Sequence, residues 1–487
     1  MKFATRTLVA DALTPVRAYA ALRNADPQGA SFLLESVIGG ERWGRYSILG
    51  YRPRYEATLN RHGWTLRPGS GDPTGARLPS FSSSGGDPIA SAGPLFGNRR
   101  VDSPASMAER FAAAHVGYLA WDIVHVIDDV PPGSTTTWNR HFVPLARFLG
   151  GATVVVFDAL AQTITVASED AADVERALAD LEHAPRLANI QVPDRSRIPS
   201  DVTTDLDDEA FKQRVLRAKE YIAAGDAFQI VLARTFSTPR RGRDPFDVYR
   251  AMRLVNPSPY MYYLDLPSDD PSQPDDRLRI AGASPETMVR LEGGAMTVRP
   301  LAGTRPRGKT PEEDARLEAE LLADPKERAE HVMLIDLGRN DVGRVARIGT
   351  VELLRQMEIE RYSHVMHIVS EVRGQIGPDV APLEVARAAF PAGTLSGAPK
   401  IRAMQIIREL EARPRGIYGG AIGYVGANGD LDLAIAIRTL VCKGDTFEVS
   451  AGAGLVEASD PQSEADETRN KARAVLCAVE ATPPPRS

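Results

Sequence analysis

Two stretches of the sequence each carry a pair of glutamates three residues apart, Glu327 with Glu330 and Glu464 with Glu467. Residues three apart share one face of a helix, and each stretch follows an Asp-Pro pair that is typical of a helix start. The face of Glu330 is otherwise apolar, so its carboxylate needs a partner. Carboxylates are the ligands that Mg²⁺ prefers. The pattern therefore fits either two solvated acidic faces or one joint magnesium site.

Two further segments could bind an anion. Residues 298–309 carry four basic side chains among glycines, and Arg pairs with carboxylates in a bidentate manner. Residues 451–454, Ala-Gly-Ala-Gly, allow close backbone approach, so their amides could hold a carboxylate. A solvated basic turn and a plain strand-end turn fit these two patterns as well. Residues 390–400 look like a helix start, where Thr394 would be an ordinary cap residue.

The elements that must position these residues read as antiparallel strands mixed with helices. Many apolar strand-like runs are separated by Gly, Asn or Asp turns, which favours hairpins over parallel crossovers. The clearest hairpin turns at Asn428-Gly429. Helices are predicted to start at Thr310, at Asp324 and near Asp460, the last running to about Glu480. Single strands are predicted over 260–266, 277–283, 152–159, 162–167, 295–303, 418–426, 431–442 and 446–454. The fold class is α+β, with antiparallel sheets covered by helices.

Composition narrows the function classes. The 487 residues are 43% hydrophobic and 25% charged with a net charge of −6, which is ordinary for a globular protein and argues against a nucleic-acid partner. Two cysteines, Cys442 and Cys477, exclude a disulfide framework. The most apolar stretch, 148–166, is too interrupted to span a membrane, and the amino-terminal residues lack the apolar core of a signal peptide. We therefore expect a cytoplasmic protein with no membrane partner.

The chain divides into two regions at a polar stretch around residues 183–205. We assign residues 1–185 to an amino-terminal region and residues 206–480 to a catalytic region. Within the first, residues 68–94 are so rich in Gly, Ser and Pro that we expect a mobile loop.

The motifs, taken in order, resemble those of the chorismate-utilising enzymes, and more narrowly those of the anthranilate synthase component I family. They are NPSPYM (256–261), ASPET (283–287), RPLAGTRPRG (299–308), DPKERAEHVMLIDLGRND (324–341), SHVMHIVS (363–370), PAGTLSGAPK (391–400), YGGAIGY (418–424) and AGAGLVEASDPQSEADET (451–468). The short motif LLES (33–36) extends the likeness toward the amino terminus. The resemblance implies the fold of that family, a sandwich of antiparallel sheets with helices packed outside.

The resemblance also implies a role for each matching residue. Glu330 and Glu467 would bind Mg²⁺, with Glu327 and Glu464 supporting them, and the ion would hold the ring carboxylate of chorismate. The residues that match contacts of the two substrate carboxylates are Tyr418, Arg438, Gly452, Gly454 and Lys471. Thr394 matches a further substrate contact, and His367 matches a histidine beside the ring.

Two residues would define the reaction. Glu286 matches the general acid for the departing 4-hydroxyl, a role that needs a proton held near neutral pH. Gln229 stands where relatives that add water carry a lysine base. Neutral ammonia needs no deprotonation to attack, so Gln229 indicates ammonia as the nucleophile. The nearest competing activity, aminodeoxychorismate synthase, often uses a lysine nucleophile where this chain has Ala302; a non-catalytic tryptophan-sensing subunit is the alternative from another class.

The resemblance implies partners and regulation as well. Neither cysteine lies in the setting of a glutaminase nucleophile, so a separate glutamine amidotransferase subunit would supply ammonia, in an expected heterotetramer. L-Tryptophan would inhibit from a second site. The residues that match that site are Leu34, Glu35, Ser36, Asn256, Pro259, Tyr260 and Met261. The implied product is anthranilate, released with pyruvate in the first committed step of tryptophan biosynthesis.

Overall fold

Two large antiparallel sheets form the framework of the computed structural model. The structure describes residues 2–36, 44–79, 86–96, 105–132, 143–269, 272–273, 275–362, 365–411 and 413–485. In chain order the strands are β1 (Ala4–Val9), β2 (Ser31–Glu35), β3 (Tyr46–Tyr51), β4 (Tyr55–Asn60), β5 (Gly63–Pro68), β6 (His115–Leu119), β7 (Ala146–Gly150), β8 (Thr153–Asp158), β9 (Thr163–Ser168), β10 (Thr203–Thr204), β11 (Gln229–Pro239), β12 (Tyr260–Leu266), β13 (Leu278–Ser284), β14 (Thr287–Glu292), β15 (Ala295–Val298), β16 (Leu301–Pro306), β17 (Glu352–Arg361), β18 (Val365–Gln375), β19 (Gly397–Ala398), β20 (Ala421–Val425), β21 (Leu431–Ile435), β22 (Thr439–Lys443) and β23 (Thr446–Leu455).

The helices lie between these strands along the chain. They are α1 (Pro15–Ala25), α2 (Pro88–Ser91), α3 (Gly93–Phe96), α4 (Met107–Ala112), α5 (Val124–Ile127), α6 (Ala171–Glu182), α7 (Asp208–Ala223), α8 (Pro245–Val255), α9 (Pro311–Ala323), α10 (Pro325–Gly343), α11 (Pro382–Ala389), α12 (Gly393–Ser396), α13 (Lys400–Leu410) and α14 (Pro461–Glu480), with a 3₁₀ turn at Trp121–Ile123. The predicted helix starts are confirmed, because Thr310, Asp324 and Asp460 each cap a helix with their side-chain oxygen.

Each sheet takes strands from both regions of the chain. The first runs β1-β9-β8-β3-β2-β12-β13-β22-β23-β11-β10, with β19 on β11, and the second runs β16-β18-β15-β14-β21-β20-β6-β7-β4-β5, with β17 on β18. Strand β2 pairs with β12, and β6 pairs with β20. The regions 1–185 and 206–480 are therefore joined by continuous hydrogen-bonded sheets.

The core confirms the predicted sandwich with helices outside. One apolar cluster lies between the sheets and joins side chains such as Phe32 and Tyr262 of the first to Tyr118 and Ile422 of the second. A second cluster packs α1, α6, α8 and α14 on the outer face of the first sheet. A third packs helices that include α7, α11 and α13 against strands of both sheets. Inner strands such as β8 and β12 have nearly continuous apolar sequences, because both of their faces are covered.

Three predicted segments differ in the structure. The run 431–442 is not one strand but two, β21 in the second sheet and β22 in the first. The run 295–303 is likewise divided into β15 and the start of β16. The predicted mobile loop 68–94 contains α2 and the first two residues of α3, and these two helices bury Ile89 and Leu95 against the core. Residues 80–85 of that loop lie outside the described residues.

Candidate active site

The candidate site lies where two neighbouring chain segments cross from one sheet to the other. Strand β13 of the first sheet continues into β14 of the second through Pro285 and Glu286, and β21 continues into β22 through residues 436–438. Strand β13 pairs with β22, and β14 pairs with β21. Arg438 has a φ of 49°, in the left-handed region that non-glycine residues rarely adopt. The two crossings bring Glu286 and Arg438 to the same place.

Glu286 is a buried carboxyl group with few polar neighbours. Thr394 of α12 donates a hydrogen bond from Oγ1 to Glu286 Oε1 at 2.9 Å. Burial raises the pKa of Glu286 to about 7, although Thr394, Lys471 and Arg438 all lower it. The small cavity beside it is lined largely by apolar side chains, including Met288, Val298, Leu334, Leu337 and Ile435. Such a group can hold a proton at neutral pH and deliver it, which is what a general acid must do.

Two cations approach Glu286. Lys471 of α14 donates to the backbone oxygen of Gly452 at 2.9 Å and pairs with Glu467 at 2.6 Å. Arg438 donates from Nη1 to Asn256 Oδ1 at 2.8 Å and, within the described residues, forms no ion pair. The Arg438 guanidinium therefore keeps an uncompensated positive charge beside a protonatable carboxyl.

His367 of β18 lies near Arg438, and its hydrogen bonds define which ring nitrogen carries the proton. Its Nδ1 is 3.0 Å from the backbone oxygen of Gly303 and 3.0 Å from Thr304 Oγ1. A backbone oxygen only accepts, so Nδ1 carries the proton and Nε2 of the neutral ring is an acceptor. Burial, with help from Arg438, lowers the pKa of His367 and favours that neutral ring.

Two glycines of β23, Gly452 and Gly454, lie close to the side chains of Tyr418 and Gln229. A Cβ on Gly452 would lie 2.8 Å from Tyr418 Oη and 2.9 Å from the Leu232 backbone oxygen. A Cβ on Gly454 would lie 3.2 Å from Gln229 Nε2. Both glycines of the Ala-Gly-Ala-Gly run thus lie close to site residues, in agreement with the prediction of close backbone approach.

The four glutamates lie on two helices, Glu327 and Glu330 on α10 and Glu464 and Glu467 on α14. Glu330 of α10 accepts a hydrogen bond from Gln229 Nε2 at 3.1 Å, while Gln229 Oε1 is buried without a hydrogen-bond partner among the described residues. Burial raises the pKa of Glu330, and the negative charges of Glu327 and Glu467 raise it further. Burial and Glu467 likewise raise the pKa of Glu464. Glu467 of α14 thus repels both Glu330 of α10 and Glu464 of its own helix.

Two of the four glutamates are already held by cations. Glu327 Oε1 accepts from Arg305 Nη1 at 3.3 Å, and Glu467 pairs with Lys471. In the described part of the chain, no three His, Cys, Asp or Glu side chains are close enough together to form a ready-made metal site. The oxygen-only donor set nevertheless suits a hard divalent cation, which would relieve the repulsion at Glu330.

Two residues near the site, Tyr362 and Lys326, were not predicted from the sequence. The Tyr362 ring packs edge-on against His367, with centroids 5.6 Å apart. The charge of Lys326 lowers the pKa of both Glu330 and Glu464. Helical spacing could have revealed Lys326, which lies four residues before Glu330 on the same face. Tyr362 lies one residue before the 363–370 motif and carried no spacing signal.

A second cavity, of about 230 Å³, lies between the two sheets. Six of the seven residues assigned to a tryptophan site line it, and they are Leu34, Glu35, Ser36, Pro259, Tyr260 and Met261. The hydroxyl of Ser36 is buried without a hydrogen-bond partner among the described residues. The seventh residue, Asn256, does not line the cavity, because its side chain is bonded to Arg438 at the active site.

The carboxylate of Glu35 was expected to bind a ligand in that cavity, but it is already bonded to residues of α8. It accepts from Tyr249 Oη at 2.6 Å and pairs with Arg253 at 3.1 Å, both on α8. Alternation along β2 turns Glu35 to the helix side and Leu34 to the interior of the sandwich. Glu35 is therefore not free to pair with a ligand ammonium group, whereas Glu292, which also lines the cavity, is exposed and forms no ion pair among the described residues.

The described helices include none that is both long enough and apolar enough to cross a membrane.

The fold and the arrangement of acid, cations and glycines define a class of protein. The family model described as "chorismate binding enzyme" matches residues 94–477, which is most of the chain. The chain belongs to that family.

Individual relatives narrow the assignment to the anthranilate synthase component 1 branch. The chain is 42% identical to that protein of Acinetobacter calcoaceticus over 98% of this chain and 94% of the relative. It is 44% identical to that of Streptomyces coelicolor over 96% of this chain and 87% of the relative. The crystal structure of anthranilate synthase component I from Streptococcus pneumoniae superposes with a TM-score of 0.73 at 32% identity, covering 96% of this chain and 99% of that one.

Proposed function

We propose that this chain is the chorismate-converting component of an anthranilate synthase, which forms anthranilate and pyruvate from chorismate and ammonia. The observation that carries the proposal is Glu286, a carboxyl whose pKa burial raises to about 7, beside the unneutralised charge of Arg438. A substrate with two carboxylates and a hydroxyl leaving group needs cations and a proton donor in one concave site.

The role of Glu286 is to protonate the departing 4-hydroxyl as ammonia adds at carbon 2. Thr394 holds one oxygen of Glu286, which leaves the other oxygen available to face the substrate. The substrate carboxylates would be bound by Arg438, Lys471, Tyr418 and the glycine-lined edge of β23. Binding in this way would orient carbon 4 of the substrate toward Glu286.

Gln229 supports ammonia as the nucleophile. Its Nε2 is engaged by Glu330, and its Oε1 is an unpaired buried acceptor. Ammonia is a hydrogen-bond donor that needs no base before it attacks, so an amide oxygen can orient it. No lysine is needed at this position, in contrast to enzymes that add water.

His367 is suited to the second half of the reaction. Elimination of pyruvate requires loss of the proton on carbon 2, after which the ring is aromatic. The contacts of His367 Nδ1 leave Nε2 as the unprotonated nitrogen, and a lowered pKa keeps the ring neutral. A neutral imidazole with a free nitrogen can accept that proton.

Glu330 and Glu467 would hold a Mg²⁺ ion, with Glu327 and Glu464 in support. The donor chemistry fits, because the negative charges of Glu327 and Glu467 raise the pKa of Glu330, and that of Glu467 raises the pKa of Glu464. When bound, the ion would supply positive charge for a carboxylate of the substrate. Binding would require Lys471 and Arg305 to release Glu467 and Glu327.

A separate glutaminase subunit would supply the ammonia. Both cysteines of this chain are buried, and burial raises the pKa of Cys442 to about 11 and also raises that of Cys477. A glutaminase nucleophile must instead be an accessible thiolate. Neither cysteine meets that requirement.

The cavity between the sheets is proposed to bind tryptophan as a feedback inhibitor. The unpaired Ser36 hydroxyl offers a polar contact, and Pro259, Tyr260 and Met261 offer an apolar wall. Tyr260 Oη is 2.8 Å from Thr287 Oγ1, and Thr287 directly follows Glu286. A ligand in this cavity would therefore act one residue away from the general acid.

The experiment is an assay of the purified chain with chorismate and Mg²⁺, in which anthranilate fluorescence is followed with ammonium salt or with glutamine. We expect product with ammonium salt and none with glutamine until a glutaminase subunit is added. Absence of anthranilate with ammonium salt would contradict the proposed reaction, and glutamine-dependent activity of the chain alone would contradict the separate subunit. Formation of aminodeoxychorismate would identify the competing activity.

A further inference from the structure

Asn256 lies at the active site with its side chain fully engaged. Its Nδ2 donates to Ser258 Oγ at 3.2 Å and to the Ala283 backbone oxygen at 3.3 Å. Its Oδ1 accepts from Arg438 Nη1 at 2.8 Å. Because a backbone oxygen can only accept, the contact with Ala283 determines which end of the amide is nitrogen. The oxygen of Asn256 must therefore face Arg438.

Arg438 is a half-buried arginine whose side-chain partner is a neutral amide, whereas several other buried or half-buried arginines of this protein are paired with carboxylates. Arg147 pairs with Glu56, Arg290 with Asp432 and Arg415 with Glu411. Within the described residues, Asn256 provides the one hydrogen-bond partner of the Arg438 guanidinium, whose Nε and Nη2 make none. A partly buried cation without a counter-ion is costly, so its charge has a use that a carboxylate partner would prevent.

A neutral acceptor can orient a guanidinium without cancelling its charge. An arginine side chain has many rotamers, and one hydrogen bond restricts them before the ligand arrives. The free Nε and Nη2 are the pair of donors that suits bidentate binding of a carboxylate. An aspartate at position 256 would hold Arg438 at least as firmly but would compete with an anionic substrate.

We propose that Asn256 is a positioning residue that orients Arg438 toward a substrate carboxylate while leaving its positive charge available. The inference rests on the proposed function, in which Arg438 binds a carboxylate of chorismate. It moves Asn256 from the expected tryptophan site to the substrate site.

The test compares Asn256→Asp with Asn256→Ala in the full-length chain, with kcat and KM for chorismate measured at saturating ammonium salt and Mg²⁺. Both variants lose the contacts of Nδ2, and only the aspartate adds a charge beside Arg438. We expect KM to rise about 5-fold in Asn256→Ala and at least about 50-fold in Asn256→Asp, with kcat of both within about 3-fold of the wild type. The loss then lies in substrate binding.

Two further variants distinguish an error in the proposed substrate site from an error in the proposed role of Asn256. Ser258→Ala removes hydrogen bonds to the backbone oxygens of Asn256 and Ala283 and the acceptor of one Asn256 Nδ2 bond, but it keeps the contact of Asn256 with Arg438. Its KM should stay within about 2-fold. Arg438→Gln should raise KM by at least as much as Asn256→Asp. If Arg438→Gln leaves KM unchanged, the proposed substrate site is wrong. If Arg438→Gln raises KM but the two Asn256 variants have equal KM, the charge argument is overturned.

Tryptophan inhibition provides the remaining comparison. If Asn256→Asp weakens inhibition by tryptophan and leaves KM for chorismate unchanged, Asn256 belongs to the effector site and the inference is wrong.

Discussion

Glu286 affects both catalysis, as a proton donor, and the pH dependence of stability, through its raised pKa. Burial raises its pKa to about 7 from an ordinary value of 4.5, so the folded chain binds this proton more tightly than the unfolded chain does. The free energy of unfolding therefore decreases as the pH rises from about 4.5 to about 7, by roughly 3 kcal/mol at about 1.4 kcal/mol per pKa unit. Burial in the folded chain thus favours the protonated form of Glu286, which is the form that catalysis needs.

We predict that Glu286→Gln is inactive yet more stable than the wild type above pH 7. The amide cannot donate the proton, so turnover should fall by about 100-fold or more. The amide also cannot ionise, so its advantage in urea denaturation should grow by roughly 3 kcal/mol between pH 4 and pH 8. An equal difference in stability at both pH values would show that Glu286 titrates normally.

We predict that Glu330→Gln and Glu467→Gln abolish activity at limiting Mg²⁺ and leave the fold intact, since each removes a charged oxygen ligand. Mg²⁺ should raise the melting temperature of the wild type and not of either variant. Glu480→Gln, at the exposed far end of the same helix as Glu467, is the control and should behave as the wild type. Normal turnover of either ligand variant at limiting Mg²⁺ would refute the metal site.

Strand β23 carries the glycine edge and helix α14 carries Glu467, and both elements are anchored on β11. Arg234 of β11 donates to Thr468 Oγ1 at 2.9 Å and to the Ala465 backbone oxygen at 2.9 Å. Its guanidinium also lies over the rings of Phe211 and Phe236. The position of Glu467 therefore depends on a buried arginine that has no part in the chemistry.

At the level of the strand, we predict that Gly452→Ala raises KM for chorismate by at least about 10-fold. The added Cβ would lie 2.8 Å from Tyr418 Oη and 2.9 Å from a backbone oxygen, so Tyr418 or the strand must move. Gly343→Ala is the matched control, because a Cβ there has no neighbour within 4 Å. If both variants have the KM of the wild type, close approach at Gly452 has no bearing on substrate binding.

On the scale of the whole molecule, the cavity between the sheets exists only because both regions of the chain build both sheets. Ser36 comes from the amino-terminal region and Pro259, Tyr260 and Met261 from the catalytic region, where β2 pairs with β12. The hydrogen bond between the hydroxyls of Tyr260 and Thr287 links this cavity to the active site. An inhibitor needs only a small preference for one conformation, since about 1.4 kcal/mol gives a tenfold effect.

We predict that Ser36→Phe removes inhibition by tryptophan, because the larger side chain fills the cavity. Ser36→Ala deletes the hydroxyl without filling the space, and should weaken inhibition by about 10-fold at most. Dose–response curves for tryptophan measure both, with the uninhibited rate of each variant as its reference. Full inhibition of Ser36→Phe, or a wild-type enzyme that ignores millimolar tryptophan, would show that tryptophan does not act through this cavity.

Local signals in the sequence were sufficient to predict where helices begin and to predict the α+β fold class. The capping residues Thr310, Asp324 and Asp460 and the Asn428-Gly429 turn act within a few residues of themselves, so their outcome could be predicted. The ordered motifs were sufficient to identify the family. They also indicated which glutamates, glycines and cations to consider together.

Only the tertiary structure decided what those residues do to one another. The division of 431–442 between two sheets depends on partners far away in the chain, since β21 pairs with β14 and β22 with β13. The same crossing places Arg438 against Asn256 and turns Asn256 away from the cavity that its neighbours line. Long-range pairing sets burial and direction for each side chain. Burial in turn sets the charge state of Glu286, for which the sequence supplies the residue but not its environment.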